Sequence, residues 1–122
     1  VGGKDRVRSA LEDARDLEED LERNDLVVVP VVYPQGTAPL GLDLELLERD
    51  CVALPAGGAW RSVVSDEAEE ASSQGVDVEE EGFCIVLKKN GRIGQRTKGI
   101  YLGRMVGEVT QRREAGMDVS NI

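Results

Sequence analysis

The sequence predicts an α/β fold, with a thioredoxin-like βαβαββα core preceded by an extra N-terminal helix. Segments with apolar residues at helical spacing alternate with continuous apolar runs, as helices and strands alternate in such folds. Near the end of the chain, two strand-like segments flank Asn90-Gly91, a strong short-range signal of an antiparallel hairpin. The alternative ferredoxin-like order, βαββαβ, fits less well because this chain ends in a helix.

Four helices are expected, and one of them is very short. They are predicted at residues 4–22, 42–47, 59–74 and 101–113. In the first helix, apolar residues recur every three or four positions from Val7 to Leu21, so one face is expected to be buried. Gly75 is a typical stop signal for the third helix.

Four strands are expected beside these helices. They are predicted at residues 26–33, 51–54, 83–89 and 92–98. The first is a β-branched run typical of a strand covered on both faces, although Pro30 cannot donate to a ladder. We expect Asn90-Gly91 to form a two-residue type I′ turn that projects from the sheet.

The length of 122 residues indicates one domain. Residues 1–24 are assigned to the N-terminal helix, residues 25–113 to the thioredoxin-like domain and residues 114–122 to a tail. The chain begins with valine, so we expect it to be a processed product or a fragment. The uncharged residues 26–42 include three prolines and are therefore not a membrane span.

The composition excludes several classes of function. Acidic residues outnumber basic ones, 24 to 15, and a net charge of −9 argues against a general nucleic-acid coat. The absence of histidine removes Ser-His-Asp and Cys-His catalysis, and two cysteines cannot form a four-ligand zinc site. We therefore predict no catalytic residue, no metal and no cofactor.

Dithiol chemistry is the enzymatic alternative. A working thioredoxin has a cysteine just after its first strand, where this chain has residues 33–37, Tyr-Pro-Gln-Gly-Thr. The proline expected before the hairpin is also absent. In the strand order 2-1-3-4, Cys51 and Cys84 lie two strand spacings apart, about 10 Å, beyond the roughly 7 Å limit of a disulfide. Two free thiols are predicted.

Charge is segregated along the chain. Residues 83–122 hold eight bases and three acids, and residues 88–98 hold five bases and no acid. Basic residues protect edge strands from aggregation, and they also dock proteins onto acidic surfaces or anionic lipid headgroups. The acidic run of residues 66–81 lacks a calcium-loop pattern, so it is interpreted as a solvated face.

A family resemblance is carried by Trp60, residues 73–76 and residues 83–99, the last reading Phe-Cys-Ile-Val-Leu-Lys-Lys-Asn-Gly-Arg-Ile-Gly-Gln-Arg-Thr-Lys-Gly. They resemble the C-terminal domain of the chloroplast low-photosystem-II-accumulation family. The resemblance implies a degenerate thioredoxin-like protein, peripheral on the stromal side of the thylakoid membrane. Its implied partners are protein subunits of a photosystem or of an assembly intermediate.

The sequence thus predicts a non-catalytic interaction or structural protein of a photosynthetic complex. The alternatives are a degenerate redox enzyme and a generic binding domain cut from a larger protein. Trp60 is interpreted either as a core or cap residue or as an anchor facing a partner. The predicted partner-binding residues are Trp60, Lys88, Lys89, Arg92, Arg96, Lys98 and Arg104.

Overall fold

The structure, a computed structural model, describes residues 1–34, 41–56 and 58–116. Within these ranges the chain forms five helices and a two-stranded antiparallel sheet, so it is a mixed helix and sheet protein. The helices are α1 (Lys4–Asp16), α2 (Glu18–Arg23), α3 (Leu44–Leu47), α4 (Ala59–Ser73) and α5 (Leu102–Glu114). The strands are β1 (Phe83–Leu87) and β2 (Ile93–Lys98). Most of the predicted loop at residues 34–39 and of the tail at 114–122 lies outside the described residues.

The predicted N-terminal helix is divided in two at Leu17. There the backbone leaves the helical conformation, with φ −102° and ψ 10°, and a second short helix follows immediately. The predicted apolar face is confirmed, since the side chains from Val7 to Leu21 that were expected inside are buried, with Leu17 half-buried. Helix α1 therefore supplies the centre of the core.

The first two predicted strands are reduced to isolated bridges. Val28 pairs in parallel with Val52, through hydrogen bonds from its amide to the Cys51 carbonyl at 2.8 Å and from the Ala53 amide to its carbonyl at 2.9 Å. Two residues later Pro30 has no amide to continue a ladder. The prediction of a continuous strand at residues 26–33 was therefore wrong, because Pro30 interrupts the ladder.

Residues 1–3 lie between residues 31–33 and strand β1, although the sequence predicts that these two segments are neighbouring strands. On one side, the Gly2 amide donates to Val31 at 3.3 Å and the Tyr33 amide donates to Gly2 at 2.8 Å. On the other side, Val1 and Phe83 exchange both of their main-chain hydrogen bonds, each 2.8 Å long. This corrects the predicted strand order 2-1-3-4, because residues 1–3 separate strands expected to be neighbours.

The hairpin is present, but its turn differs from the predicted type. The Gly91 amide donates to the Lys88 carbonyl at 2.9 Å, and the Lys88 amide donates to the Arg92 carbonyl at 2.9 Å. Gly91 has φ +86°, whereas Asn90 does not have the positive φ that a type I′ turn requires. The loop therefore has three residues, 89–91, of which the last is the left-handed glycine, and it is one residue longer than predicted.

Arg6 ties helix α1 to the corner where the hairpin meets α5. Its Nε donates to the Glu81 carbonyl at 3.3 Å, and its guanidinium also donates to the Ile100 carbonyl. The final helix, predicted at residues 101–113, is held on the core as α5 by the buried residues Leu102, Val106 and Val109. These contacts fix the position of α5 relative to β2, and the candidate site lies between these two elements.

Candidate docking site

A shallow groove of about 330 Å³ lies between β2 and the first half of α5. Three of the seven predicted partner-binding residues, Arg96, Lys98 and Arg104, line it. The remaining lining residues, which the sequence did not single out as a site, are Gln95, Thr97, Tyr101, Met105 and Glu108. We call this set of eight residues the β2–α5 groove.

The aromatic wall of the groove depends on a glycine. Gly99 has φ +77°, and a Cβ atom at this position would lie 2.7 Å from the ring of Tyr101. Glycine takes this left-handed backbone without strain and leaves room for the Tyr101 ring in its present position. Tyr101 is 57 % exposed, whereas Tyr33 and Trp60 are half-buried and Phe83 is buried. Tyr101 therefore offers an apolar contact surface at the edge of the groove.

Arg96 is held by an acidic partner within the chain. Its Nε lies 2.8 Å from Oε2 of Glu67, and its Nη2 lies 3.0 Å from Oε1, so the pair is bidentate. The Glu67 side chain is only 15 % exposed. The hydrogen bonds to Glu67 raise the pKa of Arg96 above its ordinary value. Arg96 thus connects β2 to α4, and its positive charge is largely compensated.

The other two groove cations are less constrained. Nε of Arg104 lies 3.4 Å from Oε1 of Glu108, one turn along α5, and because the Arg104 side chain is exposed this contact is weak. Lys98 is exposed, and it forms no ion pair with the part of the chain that the structure describes. Lys98 and Arg104 are therefore the side chains best able to meet an external carboxylate.

The turn cations lie apart from the groove. Lys88, Lys89 and Arg92 do not line it, and the ammonium of Lys89 binds the Asp25 carboxylate after α2. This hydrogen bond lowers the pKa of Asp25 below its ordinary value. The Lys89–Asp25 contact, between two exposed side chains, links the turn to the end of α2. That the turn projects from the sheet as a docking element stays a prediction.

Trp60 does not reach the groove. It is half-buried in the first turn of α4, seven positions before Glu67, which corresponds to about 10 Å along a helix. It is also absent from the groove lining. Its role as a partner-facing anchor stays a prediction, and any such contact would lie outside the groove.

Both cysteines are free, as predicted. Cys51 is buried under α1, and burial raises the pKa of its thiol, with a further increase from the negative charge of Glu18. Burial also raises the pKa of the half-buried Cys84 thiol. Reactive thiols need a lowered pKa, so neither environment favours a nucleophile.

We expect both thiols to react slowly with a disulfide reagent at pH 7 in the folded protein, Cys84 before Cys51. Because both pKa values are raised, the rate should keep climbing as the pH passes the ordinary thiol pKa of about 8.5. A spectrophotometric thiol assay over pH 7–10, repeated in guanidinium chloride, measures this. A rate that levels off well below pH 8.5 would show an activated thiolate instead.

The described residues contain no group of three or more Cys, Asp or Glu side chains placed to hold a metal ion. In the same part of the chain, no helix combines the length and apolar character needed to cross a bilayer. Comparison of the chain with protein-family models, with curated proteins and with solved structures finds no match. The groove and its charges are thus the observations that bear on function.

One signal for the site was present in the sequence. Glu67 falls on the same helical stripe as Val64 and Ala71, which is the face expected to be buried. A carboxylate on a buried face requires a cation nearby, and Arg96 is that cation. By contrast, no local pattern indicates Tyr101 or Met105, because their place in the groove depends on how α5 packs against β2.

Proposed function

We propose that this protein is a non-catalytic interaction module that binds an acidic surface of a partner protein through the β2–α5 groove. The observation that carries the proposal is the groove itself, whose lining combines the cations Lys98 and Arg104 with the exposed Tyr101. Tyrosine and arginine are the residue types that most often dominate binding energy at protein interfaces.

The charge distribution supports an acidic partner. The whole chain carries a net charge of −9, yet the groove lining holds three cations and one acid, Glu108. Glu67 compensates Arg96, so Lys98 and Arg104 supply the positive charge that a partner meets. Such a local positive patch orients an encounter with a negative surface, while the acidic remainder repels incorrect approaches. The same remainder would repel the phosphates of nucleic acid.

The proposed kind of partner follows from the resemblance of the sequence to the low-photosystem-II-accumulation family. We propose a photosystem subunit or an assembly intermediate at the stromal face of the thylakoid membrane, with the chain bound peripherally in the chloroplast. The parallel Val28–Val52 bridge, the hairpin and the final helix support a degenerate thioredoxin-like scaffold, which departs from the usual strand order because residues 1–3 lie between the first strand segment and the hairpin. The redox alternative has less support, since burial raises the pKa of both thiols.

Two double variants separate the groove from the turn. Lys98→Gln/Arg104→Gln removes the two available groove charges, and Lys88→Gln/Arg92→Gln removes the same number of charges from the turn. Co-sedimentation with isolated thylakoid membranes is the measurement. We expect the groove variant to bind about tenfold more weakly than wild type, since two exposed ion pairs together are worth about 1.4 kcal/mol.

The control variant should keep most of the wild-type affinity. Wild-type binding should also weaken as salt approaches about 1 M, where the screening length falls to about 3 Å. Membranes treated with trypsin, which removes stromal protein surfaces, should lose the binding, whereas binding that survives trypsin would indicate lipid headgroups. Equal affinities of the two variants would contradict the proposed groove.

A further inference from the structure

Strand β2 is an edge strand, and its outer side is open along the groove. The sheet contains β1 and β2 within the described residues, and the far side of β1 is occupied by Val1. No described main-chain group pairs with the outer side of β2. An open edge is a template on which an extended chain can add as a further strand.

The ladder register shows which main-chain groups face outward. Phe83 uses both its amide and its carbonyl on Val1, so the Phe83–Lys98 pair exchanges no hydrogen bond across the ladder. The amide and carbonyl of Lys98 therefore point to the open side, and those of Arg96 follow by the two-residue period. The Gly99 amide, one position later, points inward to Gly82 at 2.9 Å, in agreement with this alternation.

Side chains of the groove lie on both faces of β2, along its open edge. Arg96 and Lys98 share one face of β2, and Gln95 and Thr97 share the opposite face. Tyr101 and the residues of the first turns of α5 stand beside the strand. A chain added here would therefore meet a cationic position on one face and a partly apolar wall on the other.

We infer that the β2–α5 groove binds an extended acidic segment of the partner as an added β-strand, an inference that rests on the proposed function. The outward main-chain groups of Arg96 and Lys98 supply the hydrogen bonds, and alternate side chains of the segment supply the specificity. Acidic side chains on one face of the segment meet Lys98, and apolar side chains on its other face meet the wall that contains Tyr101 and the aliphatic part of Arg104.

The charges also select against other occupants of the edge. A second copy of β2 would bring its own Arg96 and Lys98 against the same two residues, and like charges on neighbouring strands are destabilising. A basic segment is repelled in the same way. An acidic strand is the occupant whose charge the groove complements.

Residue-resolved amide hydrogen exchange tests this inference on the full chain. The probe is a soluble peptide of alternating Glu and Val residues. In the free protein, the amides of Gln95, Thr97 and Gly99 should be protected and those of Arg96 and Lys98 should exchange rapidly. Saturating peptide should slow exchange at Arg96 and Lys98 by about tenfold or more.

A matched pair of variants gives a second readout. Lys98→Gln removes the charge alone and should weaken peptide binding about threefold. Lys98→Pro also removes the outward amide without breaking a ladder bond, and should weaken binding by roughly a further fivefold. Equal affinities of these two variants for the peptide would overturn the inference.

Other outcomes separate this inference from the proposed function. Salt-sensitive binding that disappears in Lys98→Gln/Arg104→Gln, but brings no protection at Arg96 and Lys98, would overturn strand addition and leave the docking groove standing. Wild-type affinity in that double variant would overturn the proposed function itself. Binding to phosphatidylglycerol vesicles in preference to the peptide would assign the groove to lipid headgroups and also overturn strand addition.

Discussion

Replacing Leu11 by alanine is expected to lower the free energy of unfolding by about 2–5 kcal/mol. Leu11 is 1 % exposed, and it lies in the cluster that joins α1 to Val32, Leu42 and Leu46. The truncation loses the burial of the side chain and leaves a cavity that this cluster cannot fill without moving. Urea unfolding followed by circular dichroism measures the change.

Leu44→Ala is the matched control, because Leu44 belongs to α3 but is 65 % exposed. The same chemical change at that surface position should alter stability by less than about 0.5 kcal/mol. Comparable losses in the two variants would show that α1 does not form the centre of the core as described.

Gly82→Ala is expected to be the second large effect, with a loss of about 2–4 kcal/mol. Gly82 has φ +70°, and an added Cβ would lie 2.6 Å from the Val1 carbonyl oxygen and 2.8 Å from Cδ1 of Ile100. The substitution therefore strains the backbone and also forces residues 1–3 away from the hairpin.

Gly75→Ala isolates the conformational part of this loss. Gly75 has φ +87°, but an added Cβ would meet nothing within 4 Å. Its loss should be about 1–2 kcal/mol, the cost of the left-handed backbone alone. If the two alanine variants unfold at the same denaturant concentration, the close packing of residue 1 against Gly82 is refuted.

The sequence predicts the helices well because their signal is local. An apolar residue every three or four positions identifies the buried face of α1 and that of α5. The hairpin is also predicted, since Asn-Gly between two strand-like segments is a local turn signal. The third residue of the turn is not predicted. A two-residue type I′ turn needs a positive φ at both Asn90 and Gly91, and only Gly91 has one.

The first strands are predicted poorly because their pairing is not local. A β-branched run indicates an extended, buried segment, and residues 31 and 32 are indeed buried. Which segment pairs with it depends on tertiary competition, and here Gly2 takes the place beside Val32. Pro30 was the one local sign of an interrupted ladder.

The candidate site is predicted only in part, because the contacts that its cations make are not local in sequence. The basic run of residues 88–98 is continuous in sequence, but its members occupy three different environments in the fold. Lys89 binds Asp25, Arg96 binds Glu67, and Lys98 opens onto the groove. Charge patterning identifies the cations, whereas only the packing of α4 and α5 decides which of them remain available.

Lysine footprinting on the unmodified chain tests the docking groove most directly. The chain has four lysines, Lys4, Lys88, Lys89 and Lys98, and their acetylation rates can be measured by mass spectrometry in free protein and in protein bound to thylakoid membranes. We predict that binding slows acetylation of Lys98 by about tenfold, as expected for a side chain that becomes buried in an interface, while Lys4 keeps its free rate. Unchanged reactivity of Lys98 in the bound protein, or protection confined to Lys88 and Lys89, would contradict the groove as the docking surface.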